Sequence, residues 1–409
     1  MALGMPARHW RQFDPWLLLA VFGIVGVSLA CIHSVTHGGH KADFGAQAAL
    51  FGPALALALL LAVSGYHWLR GAAPFIYGLN IVGLLSVMLF GHTALGAQRW
   101  ISIAGVKFQP SEFAKLALIV TLSRVLSEKS IHATDGLLTV LGTVLIPALL
   151  IFKQPDLGTS LVYGAIAVGM TFWAGLPVSV LFKMASPLLG AVCYHLGPWV
   201  FCGYLAALAG WLIWSRKGHK VLPLAVWLAN LLAGVGADKV WNLLKEYQKQ
   251  RILTFLDPEA DPLGAGYHVI QSKIAIGSGG WLGKGFMQGT QTQLHFIPEQ
   301  HTDFIFSVVG EELGFAGGLV LMLLYAVVLG RGLLVAMQAQ DRFGALLCIG
   351  VVTMLGFHVI VNLGMAMGLL PVVGIPLPMM SFGRTALVTN MLAIGLIEAV
   401  AMRRRKLMF

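Results

Sequence analysis

Charge is what this chain has least of. Only 11% of its 409 residues are Asp, Glu, Lys or Arg, against about 25% in a soluble globular domain. Mean hydropathy is +0.81 and 57% of residues are hydrophobic, which excludes an ordinary water-soluble fold. Acids are the scarcer sign, 17 against 27 bases. Cysteine is nearly missing too. Cys31, Cys193, Cys202 and Cys348 form no CxxC pair and lie mostly in apolar runs. They read as buried thiols, which excludes a disulfide framework or a thiolate metal centre.

Long apolar runs take the place of charge. A helix needs roughly twenty apolar residues to cross a bilayer. Runs near that length cover 16–32, 47–63, 73–91, 112–126, 136–152, 160–174, 178–196, 200–214, 221–236, 304–329, 343–368 and 387–402. The expected fold is an all-α polytopic membrane protein with about ten to twelve transmembrane helices. No small-residue cleavage site closely follows the first run, so it reads as a retained helix and not a signal peptide.

Twelve spans place both termini on one side. That side collects fourteen of the 27 basic residues, from Arg8 and Arg11 to the tail Arg403–Arg404–Arg405–Lys406. Positive charge marks the cytoplasmic face, so both ends are expected there. The net charge of +10 then orients the protein and meets anionic lipid; no nucleic-acid partner is expected. The longest loop, 237–302, falls outside the membrane. It opens with Val240, Leu243, Leu244 and Tyr247 at helical spacing among Lys239, Lys245, Lys249 and Arg251, the pattern of a short surface helix.

The stretch LDPEADPLGAGY (256–267) follows. Pro258 and Pro262 hold the residues before them extended, so Asp257 and Asp261 sit on a stiff bend beside Glu259. Ordinary Asp-Pro turns account for this spacing as well as a functional role does. The EF-hand spacing of a calcium loop is absent. Five glycines across 277–285 permit a sharp turn or close approach to a ligand.

Ionisable groups inside apolar runs are costly and are functional candidates by default. Glu112 and Lys115, three apart in QPSEFAK, share a helix face. Arg99 and Lys107 precede them in GAQRWISIAGVKF. Gln154 and Asp156 lie in QPDLGT, Asp303 in HTDFIF, and Glu311 and Glu312 two turns deeper in that span. Arg384 stands before the last span, and His358 and Asn362 are four apart in the eleventh. All belong to the outer half of the topology. Snorkelling explains any one of them, whereas one water-filled outer cavity explains the set. Lys183 and Glu398, near the inner ends, read as snorkelling residues. Cations beside a carboxylate suit a diphosphate and a sugar hydroxyl. Two classes stay open on these residues: an enzyme acting on a lipid-linked phosphosugar, and a transporter that moves an anionic amphiphile or couples to protons.

Four segments carry a resemblance: GAQRWISIAGVKFQPSEFAK (96–115), QPDLGTSLV (154–162), the run 251–314, and NLGMAMGLLPVVGIPLPMMSFG (362–383). In this order they resemble the SEDS family (shape, elongation, division and sporulation), its RodA branch more than its division branch. The resemblance implies one SEDS-type transmembrane helical bundle over 1–409 with a long extracytoplasmic loop. It implies a peptidoglycan glycosyltransferase of the bacterial inner membrane that joins lipid II units, with release of undecaprenyl diphosphate, for cell elongation and rod shape. A class B penicillin-binding protein transpeptidase and other elongation-machinery membrane proteins are the partners it suggests. It makes Asp261 the catalytic loop aspartate. It makes Arg99, Glu112, Lys115, Asp156, Thr302 and Asp303 substrate-binding residues, acting alone or with a divalent cation (Mg or Mn).

Two features depart from the family pattern. The usual bundle has about ten spans, so 196–235 is read as an extra transmembrane hairpin. The usual SYGG reads SFGR here, which adds Arg384 to the candidate substrate contacts. The rival reading is a lipid II flippase, and a structural scaffold for wall synthesis is the third.

Overall fold

The computed structural model describes residues 12–36, 41–94, 97–103, 106–131, 134–154, 156–214, 221–243, 246–257, 264 and 266–404. The long helices among them are α1 (Pro15–Thr36), α2 (Lys41–Ser64), α3 (His67–Phe90), α4 (Pro110–Glu128), α5 (Thr134–Lys153), α6 (Leu157–Trp173), α7 (Val178–Leu196), α8 (Pro198–Trp214) and α9 (Val221–Val235). Short helices follow: α10 (Ala237–Leu243), α11 (Glu246–Leu256), α12 (Tyr267–Ser278), α13 (Thr290–Gln293) and α14 (Ile305–Glu312). The chain ends in α15 (Gly314–Met337), α16 (Arg342–Ala366) and α17 (Arg384–Ala401). Eight of these helices are long and apolar enough to cross a membrane: α1, α2, α3, α5, α7, α15, α16 and α17. The protein is an all-α, multi-pass membrane protein.

Two compact units divide the chain, 1–174 with 254–409, and 175–253. In the first, α16 and α17 form the centre, with 67% and 78% of their span windows buried, against 17% for α3 at the lipid-facing edge. Gly395 lets α17 press against the backbone of α2 at Ala58. The Arg403 guanidinium then donates to the terminal carbonyls Ala62 O (2.9 Å) and Val63 O (2.8 Å) of α2, a cation suited to a helix C-terminus.

Asp14, before α1, accepts both Arg331 Nε and Nη2, and its own N–H donates to Glu398 Oε1 at 2.8 Å. Glu398 is 1% exposed. It therefore does not snorkel to an interface; it anchors the start of α1 to α17.

In the second unit, Asn230 on α9 donates to Ser186 Oγ on α7 and accepts from Tyr204 on α8, both at 2.8 Å. Trp227 Nε1 adds a bond to Leu205 O at 3.1 Å. Shared polar groups of this kind join apolar helices that gain little from burying oil in oil. The described residues from Pro198 to Val235 form α8 and α9, apolar helices of 17 and 15 residues. Lys183 packs its ammonium over Trp211, 5.3 Å from the ring centre, so a cation–π contact occupies it.

Two local expectations change. The apolar run 304–329 is not one span, because it breaks at Leu313. Gly314 has φ +64°, and the backbone of Leu282 and Gly283 presses where a side chain would stand. Phe315 N–H donates to Gly280 O at 2.9 Å, so the glycine-rich turn caps the start of α15.

The expected loop between α3 and α4 contains an antiparallel meander, β1 (His92–Ala94), β2 (Ala97–Ile103) and β3 (Val106–Phe108), in the order β1-β2-β3. His92 pairs with Trp100 and Thr93 with Gln98, so Arg99 is the extra residue of a β-bulge. Bulges of this kind re-aim a strand locally and recur beside active sites.

Candidate functional site

Gln109 is extended and Pro110 occupies the first turn of α4, where its missing N–H costs nothing. Glu112 follows in that first turn, favoured by the helix dipole. Lys115, one turn on, reaches back and donates to Glu112 Oε2 at 2.8 Å. Lysine and glutamate are 1% and 5% exposed, so the expected pairing exists and is buried. A second partner comes from α16, where Lys115 Nζ lies 3.4 Å from His358 Nε2. The other ring nitrogen, Nδ1, is 3.2 Å from Pro376 O. A lysine has only donors and a carbonyl only accepts, so the imidazole that fits is neutral, protonated at Nδ1.

Pro376 belongs to the loop 367–383 between α16 and α17, and the other candidates gather round that loop. Asn362, one turn beyond His358, donates to Ile375 O (2.8 Å) and to Asp303 O (2.9 Å). Ser381 donates to Thr302 O at 2.6 Å and accepts from Leu377 N–H. Phe382 N–H donates to His301 O at 2.8 Å. Asp156 caps α6 and accepts from Thr159 N–H and Oγ1 (3.2 and 2.9 Å). Two residues later, Gly158 abuts Val373 O and Ile375. Arg384 stands exposed where the loop enters α17. Glu112, Lys115, Asp156, Thr302, Asp303 and Arg384, distant in sequence, therefore converge on one loop.

The Thr302 hydroxyl donates to Glu299 O and Oε2, both 3.1 Å. For Arg99 the backbone position in β2 is described, not its side chain. Asp261, with Pro258, Glu259 and Pro262, lies outside the described residues; α12 opens six residues after it at Tyr267. Ser272 on α12 donates to Ala366 O and meets Ser307 Oγ, both at 2.6 Å, which pins that helix to the end of α16.

Glu311 and Glu312 do not join this group. Glu311 accepts from Lys284 Nζ (2.8 Å), Gln291 N–H (2.9 Å), Thr292 N–H (2.9 Å) and Thr292 Oγ1 (2.8 Å). Burial pushes its carboxyl up, yet the Lys284, Gln291 and Thr292 bonds together hold it below the usual range. Glu312 accepts from Ser34 Oγ. Both acids fold the loop onto α14 and α1. The close backbone approaches of Gly279 and Gly283 likewise meet α14 carbonyls at Gly310 and Glu312, which is structural packing and no ligand contact.

Among the described residues no group of three or more His, Cys, Asp or Glu could hold an ion. His358 and Asn362 are the site residues that the sequence signals only weakly, through their i,i+4 spacing in an apolar helix.

A family model for cell cycle proteins, covering FtsW, RodA and SpoVE, matches residues 10–197 and 187–406. The chain belongs to this family. It is 37% identical over 403 residues to the peptidoglycan glycosyltransferase MrdB of Escherichia coli, covering 97% of this chain and 95% of that one. Against the peptidoglycan glycosyltransferase RodA of Treponema pallidum it is 34% identical over 438 residues, with 98% and 100% covered. Among solved structures it is similar to a chain of a peptidoglycan synthase complex that coordinates polymerization and crosslinking (TM-score 0.72, 33% identity, 96% and 98% covered). It is also similar to Thermus thermophilus RodA (TM-score 0.64, 25% identity, 96% and 98% covered). A match at 37% identity over 97% of the chain is more than a shared helical bundle.

Proposed function

We propose that this chain polymerises lipid II at the loop-centred site, with Asp261 as general base. It is a peptidoglycan glycosyltransferase of the elongation type, a membrane enzyme that joins lipid II units into glycan strands. The observation that carries the site reading is the buried Lys115–Glu112 pair set beside the loop 367–383. A buried ammonium is expensive and is retained where it has an anion to meet.

In the proposed step the acceptor's 4-hydroxyl oxygen bonds to the donor's anomeric carbon while the bond from that carbon to the diphosphate breaks. Asp261 takes the hydroxyl proton. The leaving undecaprenyl diphosphate keeps the electron pair, and Arg99 and Lys115 stabilise its charge. Glu112 holds Lys115 in place; Asp156, Thr302, Asp303 and Arg384 border the substrate. A single displacement inverts the anomeric centre without a covalent enzyme intermediate.

The distribution of Lys and Arg supports cytoplasmic termini and a site on the outer face of the bacterial inner membrane. Similarity to a chain of a peptidoglycan synthase complex supports a crosslinking partner, a class B penicillin-binding protein. The test supplies labelled lipid II to the purified protein. Wild type should form glycan chains, and Asp261→Ala should lose polymerisation by at least about a thousandfold while keeping its melting temperature. Wild-type-like polymerisation by that variant removes the general-base role, and leaflet movement of lipid II without chains from wild type would make the protein a transporter.

A further inference from the structure

His358 is a buried titratable group that the reaction above does not use. It is 2% exposed, and Asn362, one turn away on α16, is 0% exposed. Their polar atoms are arranged in sequence along one helix face. His358 meets Lys115 Nζ with Nε2 and Pro376 O with Nδ1. Asn362 donates to Ile375 O and to Asp303 O. Two consecutive carbonyls of the loop 367–383 are therefore read by two side chains of one helix, and each side chain also reaches a second candidate substrate segment. An apolar helix face would pack as well; both His358 ring nitrogens and the Asn362 amide nitrogen have partners that offset the cost of burying them, whereas Asn362 Oδ1 has none among the described residues.

We infer that His358 is a positioning residue, linking the Lys115 ammonium to the loop 367–383 so that the cation meets the leaving diphosphate in register with the Thr302–Asp303 segment. This inference rests on the glycosyltransferase reading of the same site. The imidazole suits the task because its two nitrogens offer an acceptor and a donor on opposite edges, and the ring holds them at a fixed separation. Glutamine carries an acceptor near the Nε2 position and asparagine a donor near the Nδ1 position. Each replaces one half of the link and neither replaces both. Lys115 would otherwise be free to fold back wholly onto Glu112, where its charge is least available to a phosphate. Asn362 plays the companion role, tying the same loop to the backbone at Asp303.

The experiment uses full-length protein and lipid II polymerisation measured across substrate concentration. His358→Leu should lower kcat by roughly 10- to 100-fold, the scale of one lost hydrogen bond to a charged group. KM should stay within about threefold, since the effect works through Lys115 and not through new substrate contacts. Combined with Lys115→Met, it should cost little beyond Lys115→Met alone; losses that multiply in full overturn the proposal. His358→Gln and His358→Asn should each recover part of kcat, and recovery by neither also overturns it.

A second measurement does not depend on activity. In 15N-histidine-labelled protein, the unprotonated Nε2 resonance of His358 should move when Lys115 is replaced by methionine. A resonance that ignores Lys115→Met sinks the link, even if His358→Leu fails to fold. A wild-type protein that makes no glycan, with the resonance responding as expected, sinks the function reading and leaves the link standing.

Discussion

Two lysine–glutamate pairs share a separation of 2.8 Å, Lys115 with Glu112 and Lys284 with Glu311, and they are built for opposite ends. In the second pair the acid is the hub. Glu311 is 0% exposed and saturated by donors from Lys284, Thr290, Gln291 and Thr292, while its lysine stays 27% exposed. In the first pair the cation is the hub. Lys115 is 1% exposed and meets one carboxylate oxygen and one ring nitrogen among the described residues, although an ammonium has three donors. A saturated acid with a wet partner fixes a loop. A dry cation with donors to spare is costly for folding and useful for binding an anion.

The largest effect should come from emptying the first pair while leaving no orphan charge. The double variant Glu112→Gln with Lys115→Met removes both ions, so its melting temperature should fall by only a few degrees. Lipid II polymerisation should drop at least about a hundredfold, the loss of one charged group facing a developing phosphate charge. Retained polymerisation would erase the distinction between the pairs. Glu311→Gln should do the reverse. The amide turns donors towards the Gln291 and Thr292 donors and should cost about 3 kcal/mol or more in stability, while the folded fraction keeps its specific activity. Because the folded Glu311 carboxyl lies below its usual value, its contribution is present above the unfolded pKa of about 4.3 and is lost as pH falls through the folded value. The melting-temperature gap between wild type and Glu311→Gln should therefore be widest near neutral pH and narrow as pH falls through the lowered folded value. A fully stable but inactive Glu311→Gln would break the comparison from the other side.

What the sequence makes legible follows the range of each interaction. Runs of Leu, Val and Ile mark every long helix, because the bilayer demands length and oil and little else. The break at Leu313 is hidden, since the residues on both sides are apolar and the signal is one glycine pressed by Leu282 and Gly283. The meander carrying Arg99 is hidden as well: its strands are three to seven residues long, too short for a period to show. Glu112 and Lys115 are readable as a pair because three residues along a helix is one turn. The same spacing logic flags His358 beside Asn362 but cannot pair it with Lys115, 243 positions away. It also misassigns Glu311 and Glu312, whose partners at Lys284, Thr292 and Ser34 lie in other segments.

Arg384 offers the smallest and finest test, because among the described residues it is an exposed candidate cation with no ion pair. It also sits at the start of α17, where the helix dipole disfavours a positive charge, so its presence is not explained by the fold. An exposed cation works through water and is worth about 0.2–1 kcal/mol. Arg384→Gly should thus raise the KM for lipid II roughly two- to fivefold with kcat unchanged, and the difference should shrink as salt is raised and the Debye length falls. The variant restores the glycine that the resemblance leads one to expect, so gross misfolding is not the anticipated outcome. A kcat loss that salt does not touch would move Arg384 into the same class as Lys115, and exposure would then no longer separate cations that steer the substrate from cations that stabilise its leaving group.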